Sequence, residues 1–192
     1  MSRFYIKRLK TRSLTMTCSF KISWTKKIVT LGVISFFSVF ANAECTTHRN
    51  VDIKITKPDS RYTDNNDGTV TDKVTGLMWK QCSIGLSGKE CNEGTAGTYT
   101  WQVALAMASN SAEHSYSDWR LPNIKEFESL IDEACFNPPI NETLFPNTQG
   151  VYWTSSPHAS NDKYAWDFNF HGGGDFSDDK NDRYYIRFVR DN

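Results

Sequence analysis

The stretch Asp118-Trp119-Arg120-Leu121-Pro122-Asn123-Ile124-Lys125-Glu126-Phe127-Glu128-Ser129-Leu130-Ile131-Asp132 decides how the rest of the chain is arranged. The Asn123 side chain offers an oxygen to the free N–H groups of a first helical turn, and Glu126, three residues on, reaches back to the Asn123 N–H. The two form a capping box. Pro122 disfavours helix at Leu121, so Trp119 and Leu121 are read as an extended lead-in. Ile124, Phe127, Leu130, Ile131 and Ala134 then recur at intervals of three and four. That spacing predicts a helix running on to Cys135 with one apolar face against a sheet.

Outward from this stretch, a second helix is predicted before it. Thr100 stands as N-cap, and Trp101, Ala104, Leu105 and Ala108 fall on one face, with the end near Asn110. Beyond Cys135, Asn137-Pro138-Pro139-Ile140 stops helix. The remainder alternates as strands: 151–156, 165–170 and 184–190, with His171-Gly172-Gly173-Gly174-Asp175 as a flexible turn. Trp166, Phe168 and Phe170 share one face of the middle strand and Asp167 and Asn169 the other, the pattern of a strand with one buried side.

Towards the N-terminus, Asp67-Gly68 supplies the positive φ of a hairpin turn between strands at Arg61–Asp64 and Thr69–Asp72. A calcium loop fits less well than a plain turn: counting from Asp64, glycine falls at position 5, where an EF-hand places it at 6. Residues 74–79 make another short strand. Residues 44–56 are read as an ordered arm or first strand, since Val51, Ile53 and Ile55 alternate.

Residues 1–43 stand apart as a secretory signal. Lys26-Lys27 precede the thirteen mostly apolar residues Ile28–Phe40, and Ala41-Asn42-Ala43 is a small-x-small cleavage site. Thirteen helical residues reach only about 20 Å, short of a ~30 Å hydrocarbon core, so no stable membrane anchor is expected after cleavage. A start at Met16 would give a signal of ordinary length. Eight of the 22 basic residues lie in this segment and none of the 22 acidic ones, so the remainder carries a net charge of −8. Nucleic acid is thereby excluded as a partner class, because phosphate neutralisation carries most of that affinity.

Four cysteines remain, an even number suited to an oxidising compartment: Cys45, Cys82, Cys91 and Cys135. Three pairings are open to them; the one favoured here is Cys82–Cys91 across a Gly/Ser-rich surface loop and Cys45–Cys135 from the arm to the helix end. Cys-x-x-Cys spacing is absent, which argues against zinc. No cofactor is called for.

Several motifs together resemble the Lcl C-terminal domain family, named for the terminal domain of a collagen-like bacterial adhesin: Arg61-Tyr62-Thr63-Asp64 with Asp67-Gly68-Thr69-Val70-Thr71-Asp72, Thr75-Gly76-Leu77-Met78-Trp79, Thr100-Trp101-Gln102, Asp118-Trp119-Arg120-Leu121-Pro122-Asn123, Leu144-Phe145-Pro146-Asn147, Tyr152-Trp153-Thr154-Ser155-Ser156 and Arg187-Phe188-Val189-Arg190. The resemblance runs from Arg61 to Arg190. It implies a bacterial extracytoplasmic α+β domain at 61–192, following an arm at 44–60, of C-type-lectin-like architecture: two helices on small antiparallel sheets with long loops. It also reaches distantly to formylglycine-generating enzymes. In the named adhesin the domain is associated with sulfated glycosaminoglycans; the negative charge and the missing Gly-x-y stalk set this chain apart. Lys180, Arg183, Arg187 and Arg190 are the material for a local basic patch.

Three functional classes follow. The first is a secreted or surface binding module for glycan or another envelope component, acting in adhesion, because sugar sites combine aromatic faces with convergent polar groups. Its candidate ligand residues are Trp153, His158, Trp166, His171 and Asp175. The second is an envelope subunit serving protein–protein assembly. The third, a formylglycine-generating-type enzyme, lacks support, since the cysteines read as bridges and no nucleophile elbow or zinc motif occurs. No catalytic residue and no metal ligand is expected, and His48 and His114 are isolated.

Overall fold

The computed structural model describes Cys45, residues 48–111 and residues 116–192. The expected signal segment at 1–43 and His114 lie outside the described residues.

A single turn of 3-10 helix at Asp59–Arg61 leads into β1 (Tyr62–Asp64), β2 (Thr69–Asp72) and β3 (Leu77–Lys80). Asn66 (φ 57°) and Gly68 (φ 84°) turn the first hairpin as Asp67-Gly68 requires. Asp64 and Asp67 fold the turn onto itself by accepting the N–H groups of Asn66 and Thr69 at 2.8 and 3.0 Å. The disulfide loop then forms a small ribbon, β4 (Leu86–Ser87) with β5 (Glu93–Gly94), before α1 (Trp101–Ser109) and α2 (Ile124–Glu128). A meander of β6 (Val151–Pro157), β7 (Tyr164–Asn169) and β8 (Gly174–Asp179) follows, and β9 (Val189–Asp191) returns to pair antiparallel with β3, closing a sheet of order β1-β2-β3-β9. The fold is α+β, with two helices on small antiparallel sheets.

The capping box is present: Asn123 Oδ1 accepts the Glu126 N–H at 3.0 Å, and Glu126 Oε2 accepts the Asn123 N–H at 2.7 Å. The helix it opens is shorter than the periodicity predicts. It stops at Glu128, where the Ser129 hydroxyl bonds back to the Glu126 carbonyl at 2.7 Å. From there Asp132 organises turns, accepting from the Ala134 N–H and from the Thr56 and Lys57 N–H groups of the arm. Leu130 and Ala134 are buried all the same, by turns rather than by helix. Thr100 occupies the N-cap position of α1 without a side-chain cap bond.

Two hydrophobic clusters flank the β6-β7-β8 sheet. Directly opposed residues share a face, so the pairs Tyr152 with Phe168 and Trp153 with Asp167 mark its two sides. The Tyr152 side joins Phe127 of α2, Phe145, Phe170, Trp79 and Val189; the Trp153 side joins Ala104 and Ala108 of α1, Trp119, Leu121, Ile186 and Phe188. This corrects the expectation of one buried face on β7: Ala165 and Asp167 are as enclosed as Phe168, because α1 covers the side opposite α2. The turn expected over 171–175 is also shorter, since Gly174 already begins β8.

The segment 184–189 stitches these units together. Tyr184 exchanges backbone bonds with Tyr99, Tyr185 bonds to Val151 and Trp153, the carbonyls of Ile186 and Phe188 accept from Ile84 and Lys80, and Val189 pairs with Arg120. The segment is therefore divided among several partners, where the alternation predicted one continuous strand.

Both disulfides form as expected, Cys45–Cys135 and Cys82–Cys91. The former ties the arm to the turns beyond α2. Among its described residues the arm forms no strand: Val51 is 80% exposed, and the ladder contact there is the Arg49–Cys135 bridge. No helix among the described residues is long and apolar enough to cross a membrane.

Candidate functional site

Arg187 lies wholly buried where β3 ends, and its guanidinium sets the site. Nη1 donates to the carbonyls of Lys80 (3.0 Å) and Gln81, and Nη2 to Thr148 Oγ1 at 3.0 Å. The rings of Phe145 and Tyr152 lie 5.2 and 5.8 Å from its central carbon. Burial lowers the pKa of this arginine, opposed by the Tyr152 hydroxyl. The Gln81 N–H meanwhile donates to the Gly68 carbonyl at 3.0 Å. Both backbone groups of Gln81 are thus fixed, one to the hairpin turn and one to Arg187.

Above this floor opens a cleft of about 660 Å³ between the β1–β2 turn and the disulfide loop. Such a volume is in the range of small-molecule sites. One wall carries Asp64 and Asp67, the other Ile84, Leu86 and Lys89, and the base Lys80, Gln81 and Ser83. The walls are held from several directions. The Ser83 hydroxyl lies 2.5 Å from that of Tyr152, the Ile84 N–H bonds to Ile186, and the Cys82–Cys91 bridge closes the loop. At Gly85, φ is +96° and an added Cβ would sit 2.3 Å from the Thr95 carbonyl oxygen, so only glycine permits the close approach of the two ribbon strands.

The polar groups facing the cleft are unequally occupied. Gln81 is 6% exposed, yet its carboxamide has no hydrogen-bond partner in the protein. Asp64 and Asp67 each use one oxygen in the turn, with Asp67 Oδ1 also accepting from the Thr69 hydroxyl at 2.6 Å, which leaves both Oδ2 atoms uncommitted. Lys80 is buried with its ammonium 5.0 Å from the Trp119 ring centroid. This arrangement offers a donor–acceptor pair, two acceptors and an aliphatic wall. Among the described residues no cluster of three or more His, Cys, Asp or Glu side chains could hold a metal.

None of the five candidate ligand residues, Trp153, His158, Trp166, His171 and Asp175, lines this cleft. Trp153 is fully buried, donating its indole N–H to the Tyr99 carbonyl at 2.8 Å and packing on Tyr184 at 4.7 Å, so it presents no face to a ligand. His158 and Trp166 do come together: their rings stack at 5.5 Å, both partly exposed. Asp175 is exposed opposite Phe168, on the face that also carries Trp166. His171 sits in the β7–β8 turn, its Nδ1 3.0 Å from Asn137 Oδ1. The basic patch does not assemble. Arg187 is buried, Arg190 is paired with Asp118 at 2.7 Å, Lys180 rests on the Trp101 ring at 4.4 Å, and Arg183 bonds to the Thr98 carbonyl.

A second polar cluster lies beside Trp153. Asp167 is 1% exposed with Oδ2 unpartnered, and Tyr184 donates to Asp178 Oδ2 at 2.6 Å. Burial, then the charge of Asp178 and a shared hydrogen bond with it, push the Asp167 carboxyl up to about 7. Burial, then the bond to Asp178, raises the Tyr184 phenol as well.

The Lcl C-terminal domain family matches residues 68–190, a span that includes most of the cleft, α1, α2 and the final Arg187–Arg190. No curated protein matches the chain. The chain belongs to the Lcl C-terminal domain family, a membership that suggests a bacterial envelope-associated domain. Its two disulfides agree with the extracytoplasmic location that this family suggests.

Proposed function

From that membership we propose that the protein is a non-catalytic binding module of the bacterial envelope that recognises glycan, with the cleft above Arg187 as its ligand site. One observation carries the reading: Gln81 is a largely enclosed residue at the base of a fixed cleft, and its carboxamide opens onto that cleft with neither its donor nor its acceptor used by the protein. A polar side chain held in place and open to a cleft exchanges its water for ligand groups with little loss of its own freedom. Bound hydroxyl groups would supply both halves of that pairing, and the uncommitted oxygens of Asp64 and Asp67 would accept from others. The aliphatic wall at Ile84 and Leu86 suits the C–H face of a sugar ring.

Export before folding accords with the reading, with residues 1–43 as a cleaved signal. The test is a glycan array probed with residues 44–192, with and without calcium. Selective, calcium-independent binding is the expected result. Capture of one envelope protein with no glycan signal would favour the assembly role instead, and turnover of a ligand would overturn the non-catalytic assignment.

A further inference from the structure

We infer that the cleft takes an uncharged, hydroxyl-rich saccharide of one or two rings and discriminates against sulfated or carboxylated glycans. The inference rests on the binding-module reading and adds the chemical class of its ligand.

Charge in and around the cleft supports it. Selective binding of sulfate or carboxylate draws on the forked donors of arginine. The arginine nearest the cleft, Arg187, instead turns both terminal nitrogens to the Lys80 and Gln81 carbonyls and to Thr148, and its Nε is buried. Among the described residues that line the cleft, the cations are Lys80, which is buried against the Trp119 ring, and Lys89, at the exposed rim. Facing them are Asp64 and Asp67, whose free oxygens would repel an anionic substituent. Inside the rim, the groups that face a ligand are the Gln81 amide and these carboxylate oxygens, which match adjacent hydroxyls: an amide donates and accepts at neighbouring atoms, and a carboxylate accepts two O–H donors. A site built to hydrogen-bond such groups rejects analogues that lack them far more strongly than an apolar pocket rejects a size change.

Volume sets the length. A cleft of about 660 Å³ holds one or two pyranose rings and not a long chain, so an extended glycan would be read at an end or a short segment. No aromatic side chain lines the cleft among the described residues, so selectivity here comes from hydrogen bonds.

The experiment measures binding of residues 44–192 by calorimetry to cellobiose, lactose and N,N′-diacetylchitobiose, and to a sulfated disaccharide, with wild type, Q81A and the double variant D64N/D67N. At least one neutral disaccharide should bind with little salt dependence, weakened about tenfold or more by Q81A. The sulfated one should bind more weakly, and D64N/D67N should narrow that gap. Should Q81A fail to fold, Q81E, which keeps the volume and removes the donor, carries the same test. Preference for the sulfated disaccharide, or neutral binding untouched by the Gln81 variants, would overturn the ligand class while leaving a binding module. If no saccharide of either kind binds, both readings fall.

Discussion

Arg120 and Glu126 meet through both nitrogens and both oxygens, each contact 2.8 Å, while one of those oxygens also accepts the Asn123 N–H. The Arg120 backbone, in turn, pairs with Val189 of β9, and its guanidinium reaches Asp191 at 3.0 Å. The Trp-Arg-Leu-Pro-Asn lead-in thus couples the start of α2 to the returning edge of the four-stranded sheet. This is why a helix of only five residues is stable here: a short helix draws its stability from tertiary contacts, not from propensity.

Glu126→Ala should therefore cost more than Glu126→Gln. Glutamine retains the reach-back to the Asn123 N–H and loses the charge on Arg120; alanine loses both. Chemical denaturation should place the alanine variant about 1–2 kcal/mol below wild type and the glutamine variant at roughly half that loss. Equal losses would mean that the capping half of the arrangement contributes nothing.

Removing the buried guanidinium should be far more damaging. Arg187→Met leaves the carbonyls of Lys80 and Gln81 unpaired in the interior, a loss of about 3–5 kcal/mol by analogy with stranded buried polar partners. Arg187→Lys keeps the charge but not the fork, and should fall between the two in a thermal melt. A wild-type melting temperature for Arg187→Met would show that the floor of the cleft is held by something else.

These two arginines show what a sequence yields. Asn123 and Glu126 lie three residues apart, so their box was legible from chemistry alone. The length of α2 was not, because Leu130 and Ala134 keep the helical spacing while Ser129 and Asp132 redirect the backbone into turns. The cleft was illegible for a different reason. Its floor depends on Arg187 reaching Gln81, 106 residues away, and the sequence marked Arg187 as part of a closing family motif and of a basic cluster, with no sign of that contact. The polar Lys80-Gln81 pair closing an apolar strand was the one local sign. Trp153, a candidate ligand platform whose strand pattern also suited the core, is in the core, because α1 covers a second face of the sheet.

The Asp167 carboxyl should make stability fall with rising pH. Its folded pKa, about 7, lies above the ordinary aspartate value of 3.8, so the folded state holds the proton that the unfolded chain releases. The contribution is fully present below about pH 4 and is lost as pH rises through 7. Asp167→Asn removes this loss, and should be on the order of 1–3 kcal/mol more stable than wild type at pH 8 with little difference at pH 4. A stability gap independent of pH would contradict the raised pKa.

Asp72 should act in the opposite direction. Burial alone would raise its carboxyl, but the hydrogen bond from Arg61, with those from the Val74 N–H and the Thr75 hydroxyl, outweighs it and holds the pKa below the usual range. Its contribution is present above the unfolded value and is lost as pH falls through the lower folded one. Asp72→Asn should destabilise at pH 7 and converge on wild type in acid, as followed by urea titration across pH 2–7.

Breaking the two disulfides should separate fold from site. The Cys82–Cys91 bridge closes nine residues, so Cys82→Ser with Cys91→Ser should cost about 2–3 kcal/mol while loosening the cleft wall and weakening saccharide binding. The Cys45–Cys135 bridge closes ninety and lies away from the cleft; its loss should cost roughly 4–5 kcal/mol by the chain-entropy model and leave affinity unchanged in whatever fraction folds. Calorimetry on both variants, alongside melts, checks the division.

The Gln81 carboxamide is the most direct witness. In an amide-resolved NMR titration of isotope-labelled 44–192 with unmodified disaccharides, its side-chain NH₂ resonances should shift more than those of any other glutamine or asparagine and follow the same saturation curve as the bulk signal. Saturable binding that leaves the Gln81 side-chain resonances in place, while resonances near Trp166 and His158 move, would contradict the account and put the ligand on the stacked ledge.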